Sequence, residues 1–508
     1  MKRIAKILKI SALVLCFFVF ISVGFSLAAA SEDRYGGVLK EALTVGPATP
    51  IGFPSEAAPD ASAAACPALE TLIRVTQDGI IEPLLAESWE IARDHKSITF
   101  KLQKGVRFHD GTPFNAQAVK WNLDNVIKSK RVPGLKSVEV VDDYTVRTNL
   151  DKYTNVIFTR LANSTCAVIS PSASEKNGLD WVRWHPVGTG PFRFVAYERD
   201  AKLTYEKNSN YWRKGLPYLD GVEFVVIADD SVQKIAFQRG DIHRLQAKPL
   251  TALELKNAGF PYYAIPFGSF VLIPDSKNSD SPLANKKVRL AISHALDREA
   301  LAEGLGHGFA NPAYQVFPGI SGMALPNLQK HEYNPEKAKK LLAEAGYPNG
   351  FETNTWSFIR IVPRDYINAV ANMLQQVGIK VNVGFPEAGK YSEYRFKGWK
   401  NGMLGHALAP IVSVNSAFNT YFGAIQFPSL QKPARWEEVY NAAMESLEID
   451  NVKTRDLIQL VHDDVMVIPY MEETQICFYQ KGVTIPEMEK FGTLSYFRGE
   501  SWLAPDLR

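Results

Sequence analysis

Val106-Arg107-Phe108-His109-Asp110-Gly111-Thr112-Pro113-Phe114, continued by Asn115-Ala116 and Ala118-Val119, is the stretch that decides the reading of this chain. Just upstream, Ile98, Phe100 and Leu102 alternate with Thr99, Lys101 and Gln103, the period of a half-buried strand. Just downstream, Pro113 precedes Ala116, Val119 and Leu123, whose spacing predicts a helix. Asp110-Gly111 supplies the turn between them, because glycine reaches positive φ freely and a short carboxylate bonds its own backbone. His109-Asp110-Gly111 could also mark a metal or acid–base site, but a turn before a helix accounts for these residues without chemistry.

The same alternation extends outward in both directions. Leu203 and Tyr205 mark a strand, and the apolar run Val225-Val226-Ile227 ends at Asp229-Asp230. In the second half Val288, Ala291, Ile292, Ala295 and Leu296 share a helical face. Asn334-Pro335 reads as a cap with proline at the first helical position, and Gly346 as the stop. Ile367, Val370, Ala371, Leu374 and Val377 predict the next helix. Gly378 ends it, and Ile379, Val381 and Val383 alternate as a strand. Gly304-Leu305-Gly306-His307-Gly308 follows a helix and not a strand, so it is read as a flexible connector and not a dinucleotide loop. The pattern is α/β (mixed α+β), with no internal repeat.

The N-terminus carries a different signal. Lys2, Arg3, Lys6 and Lys9 precede an apolar run from Ile10 to Leu27, and Ala28-Ala29-Ala30 stands before Ser31. That order predicts a secretory signal peptide over 1–30, cut after Ala30. Cys16 has Leu15 before it and sits inside the apolar run, so a lipid anchor is not expected. Removing 1–30 leaves a nearly neutral chain, and nothing argues for nucleic acid. Cys66, Cys166 and Cys477 remain, enough for one bridge at most, with buried free thiols an equal alternative.

Taken in order, several blocks resemble the family 5 solute-binding proteins of bacterial ABC importers. They are Leu85-Ala86-Glu87-Ser88-Trp89, the 106–119 stretch, Pro186-Val187-Gly188-Thr189-Gly190-Pro191-Phe192, Asn208-Ser209-Asn210-Tyr211-Trp212 and Phe237-Gln238-Arg239-Gly240-Asp241-Ile242. Val288-Arg289 with Ala295-Leu296-Asp297-Arg298, and Tyr333-Asn334-Pro335 with Ala338, complete the set. The resemblance implies a two-lobed flytrap with an extra domain in the first lobe. Lobe one would cover 31–270, with the extra domain at about 60–185; lobe two would cover 271–480, and 481–508 would return to lobe one. Two strands would cross the hinge, near Phe270–Leu272 and Thr474–Phe478. A monomeric periplasmic protein handing a small solute to permease subunits in the inner membrane is implied. Oligopeptide or metal-chelate binding within the family, or a sensor or chaperone role without import, are the alternatives.

Trp356, Phe358, Arg360, Tyr391, Arg395, Trp399, Phe418 and Tyr421 fall in segments that line the cleft in such relatives, and His406 stands where peptide binders carry a tryptophan. Peptide-binding relatives place an aspartate for the ligand ammonium where this chain has Ala409, so ordinary peptides are expected to be poor ligands. Nickel-binding relatives carry arginines just before an Ile-Ser-Pro stretch. Here Ser164-Thr165-Cys166-Ala167-Val168-Ile169-Ser170-Pro171 has none, and Leu430 replaces a histidine. No H-E-x-x-H pair, G-x-S-x-G elbow or P-loop is present, so neither an enzyme nor a cofactor or metal is expected.

Overall fold

The computed structural model describes residues 34–76, 79–409, 413–423, 426–491 and 499–508. The expected leader at 1–30, Cys16 included, lies outside the described residues, as do Pro410, Ile411 and Val412 of the run after Ala409. No helix among the described residues is long and apolar enough to cross a membrane.

From strand β1 (Val38–Leu43) the chain leaves for a layer of its own. β2 (Ala86–Ile91), β3 (Ser97–Leu102), β4 (Leu135–Asp142) and β5 (Thr145–Leu150) form an antiparallel sheet in the order β2-β3-β5-β4. Helix α1 (Ala116–Ser129) covers it. Asn115 accepts a hydrogen bond from the Ala118 N–H at 3.0 Å, capping the helix start. Ala116, Val119, Leu123 and Val126 are buried against Ile98, Phe100 and Leu102, as the two periodicities require. Helix α2 (Ile157–Leu161) follows, and the chain then returns to the large sheet through β6 (Phe192–Glu198), β7 (Lys202–Lys207) and β8 (Gly221–Val226). Helix α3 (Asp230–Arg239) is capped by Asp229 and leads to β9 (Arg244–Ala247).

The quoted motif and two later blocks meet at the root of this layer. The His109 N–H donates to the Gly188 carbonyl at 2.8 Å, and His109 Nε2 lies 2.9 Å from the Gly190 carbonyl. The Gly190 N–H donates to the Ala68 carbonyl, and the Asn208 amide donates to the Gly190 carbonyl, both at 3.0 Å. A Cβ on Gly188 would lie 2.1 Å from the Ala68 oxygen, so the approach itself demands glycine. Beside it, buried Glu70 accepts from the Thr189 hydroxyl (2.9 Å), the Tyr211 hydroxyl (2.7 Å) and the Trp212 indole N–H (2.9 Å). Asp110 accepts from the Ser170 hydroxyl at 2.6 Å. These blocks are a structural junction, and burial lowers the His109 pKa to about 4.

Two long strands join the halves, β10 (Tyr262–Pro274) and, much later, β14 (Ile468–Tyr479). Between them lie helices α4 (Lys286–Ala295), α5 (Arg298–Gly306) and α6 (Pro335–Glu344), then β11 (Phe351–Ser357), α7 (Arg364–Gln376) and β12 (Ile379–Gly384). Helix α8 (Ala388–Lys397), β13 (Gly402–Leu408), α9 (Val414–Phe422), α10 (Trp436–Met444) and α11 (Asn451–Asp463) complete that half. The large sheet runs β12-β11-β13-β10-β14-β9-β1-β8-β7-β6, and a short strand at 310–312 pairs with β14.

β10 and β14 pair along nearly their whole length, but their outer neighbours change. β13 flanks β10 over Ser269–Pro274, and β9 flanks β14 over Ile476–Tyr479. The change falls beside a register shift between Pro266 and Gly268, where Gly268 faces Glu473. Phe270–Leu272 therefore lies within the sheet of the second half, and the crossing itself is a few residues earlier.

The Gly304–Gly308 reading needs correction. Gly304 and Gly306 belong to α5, and only His307 and Gly308 leave it, both at positive φ. No disulfide joins Cys66, Cys166 and Cys477 among the described residues. After β14, Val483 and Thr484 pair with Leu503 and Trp502, and Leu503 is buried with Leu39 and Phe192 in the core of the first half.

Candidate functional site

β11, β12 and β13 run parallel, with Trp356 beside Gly384 and Ser357 beside Gly405, and β13 continues to Leu408, so their carboxyl ends point to one edge. Open α/β sheets leave a crevice for ligand at such edges. Most of the residues expected at the site gather there; Arg360 and Trp399 do not. Trp356 packs where Gly384 and Gly402 flank it. A Cβ on either glycine would come within 2.9 Å of the indole. The Trp356 ring meets Tyr394 at 5.0 Å, and the Phe358 ring meets Tyr391 at 5.8 Å.

The Tyr391 hydroxyl lies 2.8 Å from the Gly405 carbonyl and 2.7 Å from His406 Nδ1. His406 is fully enclosed in β13, with its ring 5.5 Å from Tyr421 and 5.3 Å from Phe427. Burial, then the nearby Arg395 charge, hold its pKa well below the ordinary value, so the ring is neutral. The Tyr421 hydroxyl accepts from the Ala409 N–H at 3.3 Å. Phe418 is wholly buried against Phe317 and Phe422. Trp399 is also core, its indole N–H donating to the Gly402 carbonyl at 3.1 Å.

Arg395 donates to the Gln426 side chain at 2.6 Å, and its buried Nε meets no acceptor among the described residues. Its charge acts on Tyr391, His406 and Tyr421. Arg360 stands apart, exposed on the turn between β11 and α7. Ala409, at the end of β13, adjoins the hinge, for a Cβ on Gly268 would lie 2.9 Å from its Cα. The acids nearest this point are on β14. Glu472 accepts from the Gly319 N–H at 2.7 Å. Glu473 faces Gly268, and burial alone pushes its carboxyl up to about 7.

In the first half a cavity of about 30 Å³ is lined by Ser62, Cys66, Thr71, Ala162, Ser164 and Ala167, among others. A water needs about 10–15 Å³ of such space, so the cavity is very small. Nearby, Asn155 crosses to the second half. Its amide donates to the Ala443 carbonyl (2.7 Å) and accepts from Asn415 (3.2 Å), whose own oxygen accepts from Thr454 (2.6 Å). Four residues further along α9, Asn419 accepts from the Arg160 guanidinium. None of these residues was singled out in the sequence. The available signal was a pair of asparagines one turn apart on a helix, Val414–Phe422, whose other residues include Val414, Ala417, Phe418 and Phe422 at buried positions.

Two lobes joined by two continuous strands, with polar groups meeting across the gap, define a hinged ligand-binding protein. Residues 81–426 match the middle region of the bacterial extracellular solute-binding proteins, family 5, and the chain belongs to that family. It is a solute-binding protein of the ABC-importer type. The glutathione-binding protein GsiB of Pectobacterium atrosepticum is 35% identical over 369 residues, covering 67% of this chain and 71% of that protein. Among solved structures, the periplasmic binding protein DppA of Helicobacter pylori, in complex with the peptide STSA, superposes with a TM-score of 0.78. The match has 23% identity and covers 94% of this chain and 100% of that one. NikA of Brucella suis, in complex with Fe(III)-EDTA, gives 0.76 at 24% identity, covering 93% and 99%. These two likenesses establish the two-lobed fold and nothing about this chain's cargo. The curated relatives are binding proteins, and no cluster of metal-ligating side chains occurs among the described residues.

Proposed function

We propose that the protein, exported to the periplasm by removal of 1–30, closes its lobes on a small organic solute and presents it to inner-membrane permease subunits. The observation that carries this reading is the crossing at Gly268 and Glu473, where, among the described residues, β10 and β14 alone connect the two halves of the sheet. Rotation there costs little, and a solute that touches both lobes favours the closed form by its differential affinity. In this reading Trp356, Phe358, Tyr391, Arg395, His406 and Tyr421 form the lobe-two face of the cleft. Trp399 and Phe418 support it from the core, and Arg360 stays in solvent. Ala409 offers no carboxylate to an α-ammonium, so ordinary peptides, held by the amine, remain poor candidates. The first solute to test is glutathione, because the curated relative is named for it and its glutamate is joined through the γ-carboxyl, which moves the ammonium away from the peptide backbone.

Mass spectrometry of gently purified protein should identify a carried organic solute. Small-angle scattering should show the particle contract when that solute is added back. An unchanged radius at saturation, or micromolar calorimetric uptake of nickel in place of any organic solute, would overturn the reading.

A further inference from the structure

No arginine stands in Ser164–Pro171, yet the fold brings two guanidinium groups to the back of that segment. Arg160, on α2, donates to the Pro133 carbonyl and, across the gap between the lobes, to the Asn419 side chain on α9. Arg131, two residues from Pro133, donates to the Ser55 carbonyl at 3.2 Å and the Ala57 carbonyl at 2.5 Å. Both positive charges act on the buried Cys166 thiol between them. Neither arginine has an ion pair to a carboxylate among the described residues, and their acceptors are neutral amide oxygens. Burial works against the charge of Arg160 in particular; Arg131 keeps an exposed face and is held by its two carbonyl partners.

A guanidinium withdrawn from water gains most from a carboxylate, which accepts two parallel N–H bonds. Amide oxygens return only part of the lost hydration. The wall beside these groups holds the 30 Å³ cavity, and its lining includes Ala57, whose carbonyl Arg131 grips. Ser55, the other carbonyl partner, lines the smaller cavity next to it. The cavity has room for about one small polar group, and Ser62 and Ser164 are among the residues that border it, while the Thr71 hydroxyl is spent on the Ile73 carbonyl at 2.6 Å.

We propose that Arg160, assisted by Arg131, receives a carboxylate of the transported solute at the seam between the lobes. Asn419 occupies the Arg160 guanidinium in the absence of that carboxylate. The cargo class is then an organic acid whose anionic end faces lobe one while its less polar part meets the aromatic face of lobe two. The inference deepens the transport reading and rests on it.

The test is calorimetry on the full chain with glutathione, succinate, glutarate and the dimethyl ester of each, in which both carboxyls are blocked. At least one free acid should bind, and its ester should bind about 10- to 100-fold more weakly, the worth of one or two charge-assisted bonds. Arg160→Gln should bring the acid down to the level of the ester, and Arg160→Lys should fall between, keeping the charge but losing the fork. A purely structural Arg160 would weaken acid and ester equally. Equal binding of acid and ester by the parent protein, retention of the acid preference in R160Q, or no binding of any acid in the panel overturns the proposal. If a carried solute without a carboxylate nevertheless contracts the particle in scattering, the transport reading stands and this inference alone falls.

Discussion

Glu70 and Arg160 are both charged side chains drawn largely out of water, and their surroundings differ in kind. Glu70, at the root of the extra layer, collects three donors from residues 189, 211 and 212 and is buried in every direction. Arg160, at the seam, meets a carbonyl and a side-chain amide among the described residues, one of them in the other lobe. A buried charge that is fully paired fixes a geometry; one left with neutral acceptors keeps affinity in reserve for an ion. The first region is a junction that should not move, and the second is a joint that should.

The contrast is broken most severely at the junction. Glu70→Ala leaves the Thr189, Tyr211 and Trp212 donors unpaired in a closed space, and should cost about 3 kcal/mol or more. Scanning calorimetry should show that loss in the transition of lobe one, with the other lobe little changed. A single undisturbed transition would make Glu70 dispensable and erase the distinction between the regions.

Acidity probes both ends of the comparison with opposite signs. Burial, then the neighbouring His462, lowers the His331 pKa to about 3, and burial lowers those of His109 and His243 to about 4. Such a histidine takes up a proton more readily in the unfolded chain, whose value is about 6.5. Stability is therefore full above about pH 6.5 and falls as pH drops toward 3 to 4. Glu473 at the hinge has its pKa raised from 4.5 to about 7, so the folded state holds the extra proton. Its contribution is present below pH 4.5 and is lost as pH rises through 7. Glu473→Gln should raise the thermal midpoint at pH 8 and change it little at pH 4. Equal shifts at the two values would show that the carboxyl is hydrated.

The smallest effect is expected from Asn155→Ala. It removes the bonds to Ala443 and Asn415 across the seam, worth about 1–2 kcal/mol. That energy favours closure more than folding. Scattering of the ligand-free variant should show a larger radius of gyration while its thermal midpoint stays near that of the parent. The reverse outcome would place Asn155 with Glu70 among the fixed contacts.

The local features were legible because they depend on neighbours in the chain. Asn334 does cap its helix, accepting from the Lys337 N–H at 2.8 Å, and Gly346 and Gly378 do take positive φ where helices end. The Gly304–Gly308 stretch was misread because glycine content outweighed the helical continuation through Leu305, which costs only about 1 kcal/mol per glycine. The aromatic residues of the second lobe were found as a group but not sorted. Trp399 and Tyr421 look alike as large ring-bearing residues. The first spends its polar atom on Gly402, and the second reaches the backbone at the mouth of β13.

The sequence by itself determined the alternation of strands and helices, the turn and cap positions, the family and the lack of an acid at residue 409. Those follow from backbone preference, periodicity and residue identity, which are properties of short segments. Only the tertiary structure decided that Asn155 meets Asn415, that Arg160 reaches Asn419, and that the crossing falls at Gly268 beside Glu473. Pairing across two lobes depends on how separately folded surfaces are brought together. A polar side chain does not reveal, in one dimension, which distant partner will take it out of water.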